Sequence, residues 1–172
     1  MSEATAVKTG TYLTFTLGDE QYAVLVGKAR EVLELSNITK VPRTPEFMRG
    51  VINLRGSVVP VCDIRLKFGM SITEKTIDTR IVVMEIALEG DTTILGILAD
   101  SVQEVIELDE NNIEPPPKIG TSISTDFILG MGKRNDDFII ILDIEKVFSQ
   151  KEIEQMKEAG MPASSGGKKT ET

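Results

Sequence analysis

Short apolar and β-branched runs separated by polar turn residues set the pattern of this chain. They are Tyr12–Leu17, Tyr22–Val26, Val32–Leu35, Val51–Leu54, Val58–Val61, Ile81–Leu88, Ile94–Leu98, Val105–Leu108 and Phe138–Leu142. Runs of roughly four to eight such residues, bounded by Gly, Asp, Asn or Pro, predict strands. Gly18-Asp19 lies between the first two runs and Glu89-Gly90-Asp91 between the sixth and seventh. Gly and Asp tolerate the positive φ of tight turns, so both pairs of runs are expected to be hairpins. One helix is expected, over 150–159. Ser149 and Glu152 are spaced as a capping box, Phe148 and Ile153 as the apolar staple around it, and Gly160 then Pro162 as a stop.

The pattern also repeats within the chain. Tyr22–Val26 aligns with Leu95–Ala99, and at the same offset Ala29–Leu35 aligns with Val102–Leu108. Both stretches run on into prolines, Pro42 and Pro115. A third block, Gly50 through Val58–Ile64, aligns with Gly130 through Phe138–Ile144. Two similar halves of about five short strands are therefore expected, each the size of a small closed barrel.

Composition narrows the function. The 172 residues are 41% hydrophobic and 27% charged, an ordinary globular balance that supports a core without metals or disulfides. Nineteen Lys and Arg against 27 Asp and Glu give a net charge of -8, which repels phosphate backbones and anionic lipid. Nucleic acid is therefore not expected as a partner. With no histidine, Ser-His-Asp and Cys-His catalysis and every His-containing zinc site are excluded. The single cysteine, Cys62, has no partner for an internal disulfide, which fits a reducing cytoplasm. The N-terminal MSEATAVKTG has no apolar core of a signal peptide, and no apolar run approaches the roughly 20 residues of a bilayer span. No membrane insertion is expected. Residues 1–10 and 160–172, small and polar without periodicity, read as flexible tails.

Several motif-like stretches carry no chemistry. Gly130-x-Gly132 with Lys133-Arg134 resembles part of a phosphate loop, but a strand follows it instead of a helix. Ser165–Thr170 resembles a Walker loop but has Pro162 where its first glycine belongs. The carboxylates at Asp19-Glu20, Glu89–Asp91, Asp109-Glu110 and Asp136-Asp137 fall at expected turns, and no EF-hand spacing is present. Neither an enzyme nor a cofactor is expected. More informative are the polar turn Asn53-Leu54-Arg55-Gly56 between two apolar strands, and Glu31 and Glu104 at equivalent positions of the two halves.

Gly50-Val51-Ile52-Asn53-Leu54-Arg55-Gly56-Ser57-Val58-Val59-Pro60-Val61-Cys62-Asp63-Ile64-Arg65 resembles the signature stretch of the bacterial chemotaxis coupling proteins, the CheW family. Phe15–Tyr22, Gly96–Asp100 with Val102 and Val105, and Leu142–Lys146 extend the resemblance over about residues 11–150. It implies a fold of two SH3-like five-stranded barrels in one domain, 11–150. The first barrel would be about 11–67 plus a late strand at 137–144, and the second about 68–136, followed by the helix at 150–159. The length implies a free-standing adaptor and not the module within the kinase CheA. The implied function is non-enzymatic: coupling the cytoplasmic tips of methyl-accepting chemoreceptors to the regulatory domain of CheA. The expected location is the inner face of the membrane, through receptor arrays, with further copies of itself in array rings. Carried over by position, the receptor-facing residues would be Ala29, Glu31, Arg55, Val102 and Val105, with Ala29 smaller than the aliphatic residue the family implies. The kinase-facing end would carry Val41, Gly50 and Val51. A chemosensory pathway not devoted to flagella, and a small ligand-binding barrel, are the alternatives.

Overall fold

The computed structural model describes residues 10–88, 90–115 and 126–160. The expected strands form as β1 (Gly10–Leu17), β2 (Glu20–Leu25), β3 (Ala29–Glu34), β4 (Met48–Leu54), β5 (Ser57–Cys62), β6 (Arg80–Leu88), β7 (Asp91–Ala99), β8 (Ser101–Leu108) and β11 (Asp137–Leu142). Two strands were not anticipated: β9 (Ile113–Glu114) and β10 (Ile128–Arg134). Three α-helices are present among the described residues, α1 (Ile64–Lys67), α2 (Ile144–Val147) and α3 (Gln150–Gly160). Gly10 and Gly160 lie inside β1 and α3; the rest of the two expected tails, Ser165–Thr170 included, and Glu89 lie outside the described residues.

The strands form two sheets. Sheet I has the order β8-β1-β2-β11-β10-β9, and sheet II the order β3-β6-β7-β5-β4. This corrects the expected partition, in which residues 11–67 and the late strand made one barrel and 68–136 the other. β3, β4 and β5 of the first half instead join β6 and β7, while β1 and β2 join the strands of the second half. The halves have exchanged their first hairpins. The exchange preserves the repeat: Ile141 pairs with Ala23 in sheet I as Val61 pairs with Gly96 in sheet II. The bulge between Ile128 and Gly130 likewise matches that between Met48 and Gly50. Because the halves are so alike, β1 finds an equivalent partner in β3 or β8, and local sequence does not choose between them. The three-residue helical turn Val26–Lys28 carries the chain directly from β2 in sheet I to β3 in sheet II.

Each sheet curls towards closure in the same way. After β3 the chain reaches β4 through a bridge between Thr39 and Val51, and after β8 it reaches β10 through β9. Gly50 makes the first closure possible. Its φ is +145°, and a Cβ there would stand 2.1 Å from the Thr39 carbonyl oxygen. Only glycine fits.

Alternation along the strands divides the apolar residues among three cores. Tyr12, Ala23, Ile106, Ile139 and Ile141 fill barrel I, and Ile52, Val61, Ile81, Val83 and Leu98 fill barrel II. The opposite faces of the same strands, including Phe15, Tyr22, Val82, Met84 and Ile97, meet in a larger core between the barrels. Strands buried on both faces explain the near-continuous apolar runs of β6 and β7. Polar ties cross the same boundary. Glu145 of α2 accepts hydrogen bonds from Lys28 (2.7 Å) and the Ala87 amide (3.0 Å), and Arg65 of α1 bonds Asp100 (2.5 Å).

α3 begins with the expected capping box: the Glu152 amide donates to Ser149 Oγ (3.1 Å), and the Ser149 amide to Glu152 Oε1 (2.8 Å). Ile153 and Met156 are buried in the central core beside Phe148. Lys67 donates to the same Glu152 carboxylate (2.5 Å) and lies 4.6 Å from the Phe47 ring centroid and 5.4 Å from that of Phe148. Burial pushes the Glu152 carboxyl up, but the bonds from Lys67 and the Ser149 amide outweigh it and hold the group below its ordinary 4.5. A lowered folded-state value contributes stability above pH 4.5, and the contribution is lost as pH falls through the folded value. Acid titration of stability in Glu152→Gln should therefore fall less steeply below about pH 4.5 than in the parent; parallel curves would contradict this. Ser149→Ala should cost about 1 kcal/mol by urea unfolding.

Candidate functional site

The polar turn singled out in the sequence is a two-residue hairpin loop between β4 and β5, with Leu54 paired to Ser57. Arg55 has φ +51° and Gly56 φ +91°. Positive φ at both central positions is what a type I′ turn demands, and glycine provides it freely whereas arginine does so at a cost. The Gly56 amide donates to Asn53 Oδ1 (2.8 Å), which holds the loop in shape. Strain of this kind at an exposed non-glycine residue points to use of its side chain. Arg55 is 71% exposed and forms a two-pronged ion pair with Glu31 of β3. A planar guanidinium matched to a carboxylate is the stronger form of ion pair. Because β3 and β4 are opposite edges of sheet II, this pair spans the closure of barrel II.

Sequence reasoning missed the counterpart in barrel I. Arg134 of β10 bonds Glu104 of β8 at 2.6 Å, again reaching across the closure, here between β8, one edge strand of sheet I, and the strand next to its other edge, β9. The adjacent Asn135 has φ +57°, as Arg55 has in its own turn. The sequence repeat matches Glu104 to Glu31 but sets Asn135 and not Arg134 opposite Arg55, so a shift of one position hides the arginine.

The remaining candidates are dispersed. Ala29 and Val102, equivalent in the repeat, are half-buried, pack on the central core and pair with Met84 and Phe15 respectively. They mark the boundary between the barrels. Val105 is 53% exposed and lines a shallow groove with Glu104 and Arg134 on barrel I. Glu31 and Arg55 are thus in direct contact, Ala29 and Val102 share the inter-barrel core, and Val105 stands on the neighbouring face. Of the other set, Val41 and Val51 are half-buried near the Thr39 closure, whereas Gly50 is buried beneath it. Its part is structural.

Other chemistry finds little to work with. Among the described residues no group of His, Cys, Asp or Glu could hold a metal ion, and no helix is long and apolar enough to cross a membrane. Burial raises the Cys62 thiol far above its usual range, and it donates to Met156 Sδ at 2.9 Å. A thiol so placed is no nucleophile.

Residues 11–152 match the family model of the CheW-like domain. The chain belongs to the CheW family. It is 34% identical over 145 residues to the chemotaxis protein CheW of Klebsiella aerogenes, covering 83% of each chain. It is 33% identical over 139 residues to CheW of Helicobacter pylori, covering 81% of each. The protein FrzA of Myxococcus xanthus is 31% identical over 138 residues. The crystal structure of the scaffolding protein TtCheW from Thermoanaerobacter tengcongensis superposes with a TM-score of 0.72 at 40% identity, covering 84% of this chain and 95% of that one. The two barrels are the SH3-like subdomains of the CheW fold.

Proposed function

We propose that this chain is a chemotaxis adaptor that links chemoreceptor tips to the regulatory domain of the histidine kinase CheA and makes kinase activity depend on receptor state. The observation that carries the reading is Arg55, held at positive φ with its guanidinium exposed and braced by Glu31. An exposed, pre-oriented guanidinium beside a boundary flanked by Ala29 and Val102 suits an amphipathic helix of a receptor tip: apolar side chains settle against the boundary, and a receptor carboxylate or carbonyl meets Arg55. Val105 extends this face onto barrel I. The kinase-facing end is the one carrying Val41 and Val51, with Gly50 shaping it from beneath. Further copies of the chain in array rings complete the set of partners, and the receptors hold it at the inner face of the membrane. The adaptor performs no chemistry; it transmits a difference in receptor contact into a shift of the kinase equilibrium, as linkage requires.

Arg55→Glu sets two carboxylates against each other at the barrel closure and removes the exposed cation. Affinity for a receptor signalling fragment should fall by about ten-fold or more, while the melting curve moves little, because the Arg55 side chain is largely exposed. Unchanged affinity with a normal melting curve would remove Arg55 from the receptor-facing surface.

A further inference from the structure

β5 and β7 are neighbours in sheet II, yet they pair only at Val61 with Gly96 and at Cys62 with Ile97. On their far sides both strands are paired along their length, β5 with β4 and β7 with β6. Ahead of those two pairs β5 and β7 diverge, and Asp91–Leu95 has no strand along its β5 side among the described residues. An unpaired strand edge presents N–H and C=O groups that another chain can complete.

The divergence opens a groove of about 460 Å³, walled by Ser57–Pro60 on one side and Thr92–Ile94 on the other. Its floor reaches the interior of barrel II, since Val59 belongs to that core and Leu54 and Ile94 pack on it. Val58 stands in the groove at 44% exposure. Three cations line it, Arg30, Arg55 and, from α3, Lys157, against the single carboxylate of Glu31. Arg55 is paired with Glu31 and Arg30 with Glu85 (2.8 Å), both at the surface, so the lining is rich in cations for a chain of net charge -8 and Lys157 is the least engaged of them. Lys157 has only a loose ion pair, 4.0 Å from Asp91.

We propose that this groove takes an extended, acidic segment of a partner protein, which adds as a strand to the free edge of β7, seats an apolar side chain on Leu54, Val59 and Ile94, and sets carboxylates against Arg30 and Lys157. The free backbone groups select an extended chain over a helix, whose own N–H and C=O groups are already paired. They also select β7 over β5 as the template, because Pro60 of β5 has no N–H to offer. The rim selects acidic residues. The proposal goes beyond the adaptor reading: Arg30, Val58 and Lys157 lie outside the residues assigned there to receptor and kinase.

The test uses the full-length chain and three labelled peptides in fluorescence anisotropy. One alternates valine with glutamate, one alternates valine with lysine, and the third is the valine–glutamate peptide methylated on alternate backbone nitrogens. The valine–glutamate peptide is expected to bind, more weakly as salt is raised, and the other two are expected not to. Val58→Glu and Lys157→Glu, both at exposed or half-exposed positions, should each weaken it by about ten-fold while leaving the melting curve and binding of the CheA regulatory domain unchanged. No binding of the valine–glutamate peptide, equal binding of the methylated or the basic peptide, or full affinity in both variants would each overturn the proposal.

Discussion

Asp63→Ala is expected to lower stability by about 3–5 kcal/mol, the usual consequence of leaving a buried charge network without one partner. Asp63 is completely buried between β5 and α1, and its carboxylate accepts from the Thr73 amide (2.8 Å), the Thr73 hydroxyl (2.7 Å) and Arg49 (3.0 Å). These bonds fasten the connection from α1 to β6 onto barrel II. Alanine would strand an amide and a hydroxyl, and would leave a guanidinium that is itself only 17% exposed with the Thr73 carbonyl (3.3 Å) as its remaining partner. In a chain of this size the melting temperature should drop by roughly 10 °C or more. The control is Asp143→Ala, at the equivalent position of the other half, where among the described residues the carboxylate caps the Glu145 amide (3.2 Å). That change should cost about 1 kcal/mol. Equal losses in the two variants would show that the buried network contributes nothing beyond a helix cap.

Gly50→Ala is expected to be comparably damaging, at about 3 kcal/mol or more, for a different reason. At φ +145° an L side chain is strained, and the new Cβ would overlap the Thr39 carbonyl oxygen at 2.1 Å and crowd Ile38 Cγ2 at 2.8 Å. The carbonyl belongs to the Thr39–Val51 bridge, so relief of the clash would break the closure of barrel II. Gly56→Ala separates the two effects. Gly56 also has positive φ, +91°, but a Cβ there meets nothing within 4 Å, so only the conformational strain of about 1–2 kcal/mol should appear. Urea unfolding of both variants measures the difference, and similar losses would assign the whole effect at Gly50 to backbone strain.

What could be read in the sequence was local or repeated. The strands that carry β-branched runs, the two hairpins and the capped α3 follow from period-two patterning, turn glycines and the Ser149–Glu152 spacing. β10 escaped because Ile128–Arg134 contains two glycines and ends in Lys133-Arg134, which leaves no continuous apolar run. α1 and α2 are four residues each, too short for a helical period to show. The hairpin exchange was illegible for a deeper reason: β3 and β8 are near copies, so the pairing partner of β1 is set by how the short Val26–Lys28 turn carries the chain between sheets. At the site, Arg55 and Glu31 were legible as residue types, and their contact became visible only once β3 and β4 proved to be the edges that close barrel II. The Arg134–Glu104 pair needed the same knowledge, since a one-residue shift hides it from the repeat.

The central claim, that the chain makes kinase activity answer to receptors, is tested most directly by autophosphorylation of CheA with receptor signalling fragments, with and without this protein. The account predicts that receptor control of phosphorylation appears only when the protein is present, and that Arg55→Glu abolishes this control while still binding the CheA regulatory domain. Receptor control of equal strength in its absence, or no binding to either partner, would contradict it.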